Sequence, residues 1–217
     1  MADSSGSWGE LDLVMNTIID TCLANETYFG ELDSVVGDGD FGYSLARGFE
    51  KLQAQYGELD RTDIGTFLKK VGMLVTSRIG GTSGPIWGTG FLRAGMAAGD
   101  ATELDGTTVV AMLRAAIDGI KTRGGAELGD KTLLDALVPL TDAIEEGLAA
   151  GQNSTEVVDR AAVAARSAAD ATVGMVAKRG RAAYTGERSR GSVDAGAIAV
   201  AVLMEQIAQN WKGRDSG

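Results

Sequence analysis

Residues 8–22 read WGELDLVMNTIIDTC, and Trp8, Leu11, Met15, Ile18, Ile19 and Cys22 recur at the i, i+3, i+4 interval of one helix face. The same rhythm returns at about 42–56, 62–78, 85–99, 105–122, 131–150, 154–177 and 193–211. The sequence therefore predicts an all-α fold of about eight helices. Thr62, Asp105 and Ser154 stand before periodic runs as N-caps, and Asp130-Lys131-Thr132 precedes another. Gly57, Gly99 and Gly151 sit where a helix would end in a left-handed turn. Most links are short, which favours antiparallel neighbours. The expectation is one domain over residues 1–217, a barrel or bundle of up-and-down helices with frayed ends at 1–7 and 213–217. Alanine is dense at 161–165 and 195–201. That suits close helix approach, and it equally suits plain helix propensity.

Composition narrows the chemistry. The 217 residues include no histidine, one cysteine (Cys22), two prolines and 31 glycines. Without histidine the chain holds no Ser-His or Cys-His pair and no histidine-ligated metal of its own. A single cysteine excludes an internal disulfide. Carboxylates, arginines, hydroxyls, backbone amides and hard oxygen-bound metals remain. A net charge of -10 repels nucleic-acid phosphates and anionic membrane surfaces, so neither is expected as a partner. The polar, acidic N-terminus and the lack of a long apolar run lead us to expect a soluble cytoplasmic protein.

Four segments between helices carry the informative residues. In 30–42, GELDSVVGDGDFG, the carboxylates of Asp33, Asp38 and Asp40 crowd together among glycines. They suit a hard cation, Mg²⁺ with a phosphate ligand, or else a solvated turn whose Asp side chains bond their own backbone. Segment 79–85, IGGTSGP, ends on Pro85 as a first helical residue. Its amides with the Thr82 and Ser83 hydroxyls make either a phosphate cradle or an ordinary capping loop. Segment 123–132, RGGAELGDKT, opens another helix. Segment 178–196 places Lys178, Arg179, Arg181, Arg188 and Arg190 in a glycine-studded loop of an acidic chain, where an anion to be covered explains them better than a solvated basic loop does.

In an antiparallel bundle every second loop falls at the same end, and these four are every second loop. Carboxylates, amide cradle and arginines would then share one rim. Such a rim suits a metal-bound nucleotide.

The stretches LDSVVGDGDFGYSLARGFE, GGTSGPIWGTGFLRAG, RGGAELGDKTLLDALVPL and KRGRAAYTGERSRGSVDAGA, in this order from about residue 30 to 200, resemble the L (nucleotide-binding, DhaL-like) subunits of dihydroxyacetone kinases. The resemblance implies a barrel of eight antiparallel helices with ADP or ATP held through two Mg²⁺ at one end. It implies Asp33, Asp38 and Asp40 as metal ligands. It implies Phe41, Gly42, Tyr43, Ser44, Thr82, Ser83, Gly124, Leu133, Arg181, Asp194, Ala195 and Gly196 at nucleotide-contacting positions, with Arg181 helping to stabilise phosphate. No catalytic group is assigned on the chain itself.

The reaction so implied is phosphoryl transfer to a small ketose held by a histidine of a separate K-type subunit. In one branch of the family ADP stays bound and is rephosphorylated by a phosphohistidine protein of the phosphotransferase system. In the other, ATP exchanges as an ordinary substrate. Relatives usually carry His where this chain has Phe41 and Asn at Ser44, and often His at Ser192 and Pro at Ala195. A related ketose such as erythrulose is the alternative substrate. A nucleotide-loaded regulatory protein without turnover is the alternative function.

Overall fold

The computed structural model describes residues 6–214, and within them there are helices and no strands. The α-helices are α1 (Ser7–Ala24), α2 (Glu26–Ser34), α3 (Phe41–Gln55), α4 (Ile64–Arg78), α5 (Ser83–Ala98), α6 (Gly106–Gly124), α7 (Leu134–Ala149), α8 (Ser154–Ala171) and α9 (Ala195–Arg214). Short 3₁₀ segments occupy Tyr56–Glu58, Thr172–Gly174 and Arg181–Ser189. None of these helices is long and apolar enough to cross a membrane.

The packing order closes on itself. α1 touches α3, each helix from α3 to α9 touches the next, and α9 returns to α1. Eight helices thus form a barrel, and the short α2 packs on α3 and α9. Leu11, Met15, Ile19, Phe49, Phe67 and Val71 make part of one core where α1, α3 and α4 meet.

On the other side the core is built from small residues. Ala161, Ala165 and Ala169 of α8 are fully buried at every fourth position against Ala197 and Ala201 of α9. Both readings of the alanines therefore hold, since good helix formers also bring the axes together. α4 and α5 approach closer still. A Cβ on Gly65 would lie 2.0 Å from the Gly99 carbonyl, and one on Gly72 would lie 2.8 Å from the Gly88 carbonyl.

Several boundaries differ from those the sequence suggests. The first periodic run, 8–22, is α1, but a further helix, α2, follows it across Asn25, whose side chain donates to the Thr21 carbonyl (2.8 Å), and takes up the start of the 30–42 segment. α4 is capped by Asp63, which accepts from the Thr66 amide, while Thr62 bonds Asp60 instead. α8 is capped by Asn153 in a reciprocal box with Glu156, one residue before Ser154. Asp105 caps α6 as expected. Gly99 and Gly151 adopt positive φ, whereas Gly57 lies inside a 3₁₀ turn. Of the ends expected to fray, Ser7 and Gly213 are helical, and residues 1–5 and 215–217 lie outside the described residues.

Candidate functional site

The acidic segment folds onto its own first aspartate. Asp33 lies in the last turn of α2, and its carbonyl accepts from the Gly37 amide (2.6 Å). Its Oδ2 accepts from the amides of Gly39 (2.9 Å) and Phe41 (3.4 Å). Gly39 makes the reversal at φ +77, where a side chain would be strained. Asp38 and Asp40 are thereby returned toward Asp33, and one carboxylate oxygen from each of the three lies within 4.8 Å of the others. Three like charges at this spacing repel one another, and a nearby cation relieves the repulsion. Here the guanidinium of Arg181 is that cation, with Nη1 against Asp38 and 3.1 Å from Asp40.

Four helix starts face the same space. The N-terminal ends of α3, α5, α7 and α9 line a cavity of about 550 Å³, together with the C-terminal end of α6 and residues 179–182. Each start presents amides without intrahelical acceptors and the positive end of a helix dipole. At α5, Thr82 precedes the helix without capping it through its side chain. On an acidic protein this cavity is therefore locally suited to an anion.

The wall between α6 and α7 is tied by charged side chains. Asp135, buried, accepts from the amides of Gly129 (2.5 Å) and Thr132 (2.7 Å). Asp130 accepts from Lys178 (3.1 Å) and lies 3.5 Å from Arg179. Its carboxyl is held below the usual range, first by the Glu127 amide and then by Lys178 and Arg179. Lys131 is buried with φ +62, and its ammonium donates to the carbonyls of Met175 (3.2 Å), Ser189 and Ser192 (2.7 Å). Burial pulls its pKa down.

Asp194 stands before α9 and accepts from the Ala197 amide (2.7 Å), while its own amide donates to Thr172 Oγ1 (2.9 Å). Loss of solvent pushes its carboxyl up to about 7. The Ala197 bond opposes that shift, the charge of Asp135 adds to it, Lys131 opposes it and Asp33 adds again.

Most residues singled out from the sequence meet here. Asp33, Asp40, Phe41, Thr82, Ser83, Gly124, Leu133, Arg181, Asp194, Ala195 and Gly196 line the cavity, and Asp38 joins them through Arg181. Gly42 and Tyr43 do not line it, because the first turn of α3 rotates them away, and Ser44, on the face of Phe41, stands at its edge with Oγ 3.4 Å from the Cβ position of Gly80. Gly42 packs against the Glu26 carbonyl, and Tyr43 is exposed beneath the Arg47 guanidinium, 5.2 Å from its ring centre. Of the five cations expected to cover an anion, Arg179 and Arg181 reach the cavity, whereas Lys178 pairs with Asp130, Arg190 pairs with Glu187 and the Gly174 carbonyl, and Arg188 is exposed and does not line it.

Sequence reasoning missed Lys131 as more than a helix-start residue. A lysine between Asp130 and Thr132 in a glycine loop looks solvated, and neither its left-handed backbone nor its three carbonyl acceptors are written in local pattern. It also missed Trp87, whose indole N–H is shut from solvent on the cavity wall with no acceptor among the described residues.

The donor set suits a hard divalent cation bound with a phosphate group. Carboxylate oxygens cluster beside helix N-termini, a guanidinium already takes a cation's place, and the volume admits a nucleotide-sized ligand. The DAK2 domain pattern matches residues 35–209. The chain is 38% identical over 181 residues to the ADP-binding subunit DhaL of the PEP-dependent dihydroxyacetone kinase of Escherichia coli, covering 83% of this chain and 86% of that one. It is 36% identical over 202 residues to an L-erythrulose kinase of Pectobacterium atrosepticum, covering 89% of this chain and 33% of that one. Among solved structures, the dihydroxyacetone kinase of C. freundii in complex with AMP-PNP and Mg²⁺ aligns with a TM-score of 0.70 at 27% identity, covering 96% of this chain and 34% of that one. The chain thus spans about a third of those longer kinases.

Proposed function

Because this chain belongs to the DAK2 domain family, among the DhaL-like subunits, we propose that it is the nucleotide-holding half of a short-ketose kinase. It holds ADP or ATP with Mg²⁺, and a K-type subunit supplies the bound ketose. One observation carries this reading: the Asp33 and Asp40 carboxylates, the Thr82–Ser83 helix start and Arg181 line a single cavity, and Asp38 joins the cluster through Arg181. Dihydroxyacetone and erythrulose are both named among the relatives, and the choice between them belongs to the partner that holds the ketose.

Asp33, Asp38 and Asp40 would hold the Mg²⁺, which when bound neutralises phosphate charge and aligns the transferred group. Thr82 and Ser83, with the α5 amides, bind phosphate oxygens. Arg181 exchanges its carboxylate partners for phosphate and stabilises the charge that develops there. The floor formed by Ile86, Trp87, Ile120, Leu133 and Leu134 is apolar and excludes water from the flat face of a base. No residue of this chain is given the role of general base, because the ketose hydroxyl is presented by the other subunit. Whether the donor is exchanging ATP or a phosphohistidine protein acting on resident ADP is read from the nucleotide released on denaturation. Stoichiometric ADP indicates the second, and an empty site the first.

The test is titration calorimetry of Mg-ADP and Mg-ATP with the wild type and with Asp38→Ala and Asp40→Ala. Loss of binding by at least about tenfold in both is expected, since each removes a charged ligand. Unchanged affinity in both would overturn the metal assignment. Ketose phosphorylation on adding a K-type subunit is expected. Persistent inactivity with nucleotide-dependent binding to another protein would favour a regulatory role.

A further inference from the structure

We propose that Lys131 is the positioning residue for the segment that carries Arg181, acting as a buried ammonium clasp. The segment leaves the barrel after Gly174 and returns at Asp194. Lys131 Nζ bonds the carbonyl of Met175 at its beginning and those of Ser189 and Ser192 at its end. One cation thus uses its three donors to hold both ends of the excursion at the start of α7. The tip, with Arg181, projects from this base over Asp38 and Asp40.

Neighbouring contacts serve the same closure. Ser189 is fully buried, accepts from the Ala177 amide (2.8 Å) and donates to the Gly186 carbonyl (2.6 Å). The Gly191 amide donates to the Val173 carbonyl (2.8 Å), and the Lys178 amide to that of Asp130 (3.1 Å). The left-handed backbone of Lys131 is costly for a residue with a Cβ. A lysine rather than a glycine at this left-handed position is accounted for if the side chain returns more than the backbone loses. Without the ammonium, the carbonyls of Ser189 and Ser192 would lose their charged donor, and the segment would open at its base.

The proposal rests on the nucleotide reading only for its second measurement, and the first is independent of it. The variants are Lys131→Met, which keeps the strained backbone without the charge, and Lys131→Gly, which also relieves the strain. Limited trypsin digestion of the whole chain, mapped by mass spectrometry, is expected to show cleavage after Lys178, Arg179, Arg181 or Arg188 accelerated about tenfold in both, as for a locally opened segment. Other sites should keep their wild-type rates. Mg-ADP affinity is expected to fall about tenfold in both variants, and Lys131→Met/Arg181→Ala is expected to bind no more weakly than Arg181→Ala alone.

Unchanged loop cleavage in both variants would overturn the clasp. Additive losses of affinity in the double variant would equally overturn it, because Lys131 would then not be acting through Arg181. Loss of cooperative melting in both variants would show that the ammonium holds the fold rather than the segment. If the wild type fails to bind Mg-ADP, the nucleotide reading falls and the digestion result alone decides the clasp.

Discussion

Arg181 lies against Asp38, pairing a residue of the loop before α9 with one of the loop before α3, and its Nη1 is 3.1 Å from Asp40 as well. The guanidinium therefore occupies the side of the carboxylate cluster where a cation belongs. On the proposed function, metal and arginine would compete for the same oxygens until a phosphate gave the arginine another partner.

Arg181→Gln should separate these two effects. Binding of Mn²⁺ without nucleotide is expected to tighten several-fold, by roughly 0.5–1 kcal/mol for a half-exposed pair. Mg-ADP binding is expected to weaken, because the fork that covers phosphate is lost. Electron paramagnetic resonance of free Mn²⁺ reads the first and calorimetry the second. A fall in metal affinity without nucleotide would show that the two cations do not compete.

The close approach of α4 and α5 gives a stability prediction. A methyl at Gly65 would lie 2.0 Å from one backbone carbonyl and 2.5 Å from another, and backbone cannot rotate aside. Gly65→Ala is expected to destabilise by about 3 kcal/mol, or about 6–12 °C in Tm for a chain of this size. Gly57→Ala is the control, since nothing lies within 4 Å of its Cβ position and its φ is not positive. Its Tm should stay within about 1 °C of wild type.

Such contacts also mark what could be read without coordinates. The alternation of loops between ends of the barrel follows from helix count alone, and it brought Asp33, Thr82, Gly124 and Asp194 to one rim. The short α2 could not be seen, because it buries only Phe29 and so shows no apolar periodicity. Thr62 and Ser154 were misplaced as caps because each has an equally capable neighbour, and only the direction of the chain decides between them. Helical rotation decided Tyr43, which shares a motif with Phe41 but not its face. Lys131 was hidden for a different reason, since its partners lie 44 to 61 residues away.

Asp194 gives a pH prediction. Its folded pKa of about 7 lies above the unfolded value of 3.8. Between these values the folded chain binds more protons, so this group's contribution to stability is present below about pH 4 and lost as pH rises to about 7. Asp194→Asn keeps an oxygen for the Ala197 amide and removes the titration. Without nucleotide it is expected to melt above wild type at pH 8 by about 3–6 °C, allowing for the open cavity on one side, and level with it near pH 4. A difference in Tm that does not change with pH would show that Asp194 is not held protonated by the fold.

Phe41 shows how one substitution divides stability from retention of ligand. Its ring is 8% exposed, packs 6.2 Å from that of Phe29, and forms cavity wall next to Asp40. An aromatic hydrocarbon here contributes to the core but offers no hydrogen to a phosphate. Phe41→His exchanges these properties. The imidazole is expected to cost about 1–2 kcal/mol of stability through lost apolar burial and a half-satisfied ring nitrogen. In return it places an N–H donor beside the acidic cluster, so the variant should release ADP more slowly, by about tenfold for one added bond to a charged acceptor. Stopped-flow displacement of a fluorescent ADP analogue measures the release, and thermal melting without nucleotide measures the cost. A lowered Tm with unchanged release would show that the imidazole faces Phe29 rather than the ligand. Slower release with an unchanged Tm would show that the Phe29 contact contributes little to the core, and that Phe41 acts chiefly by withholding a donor.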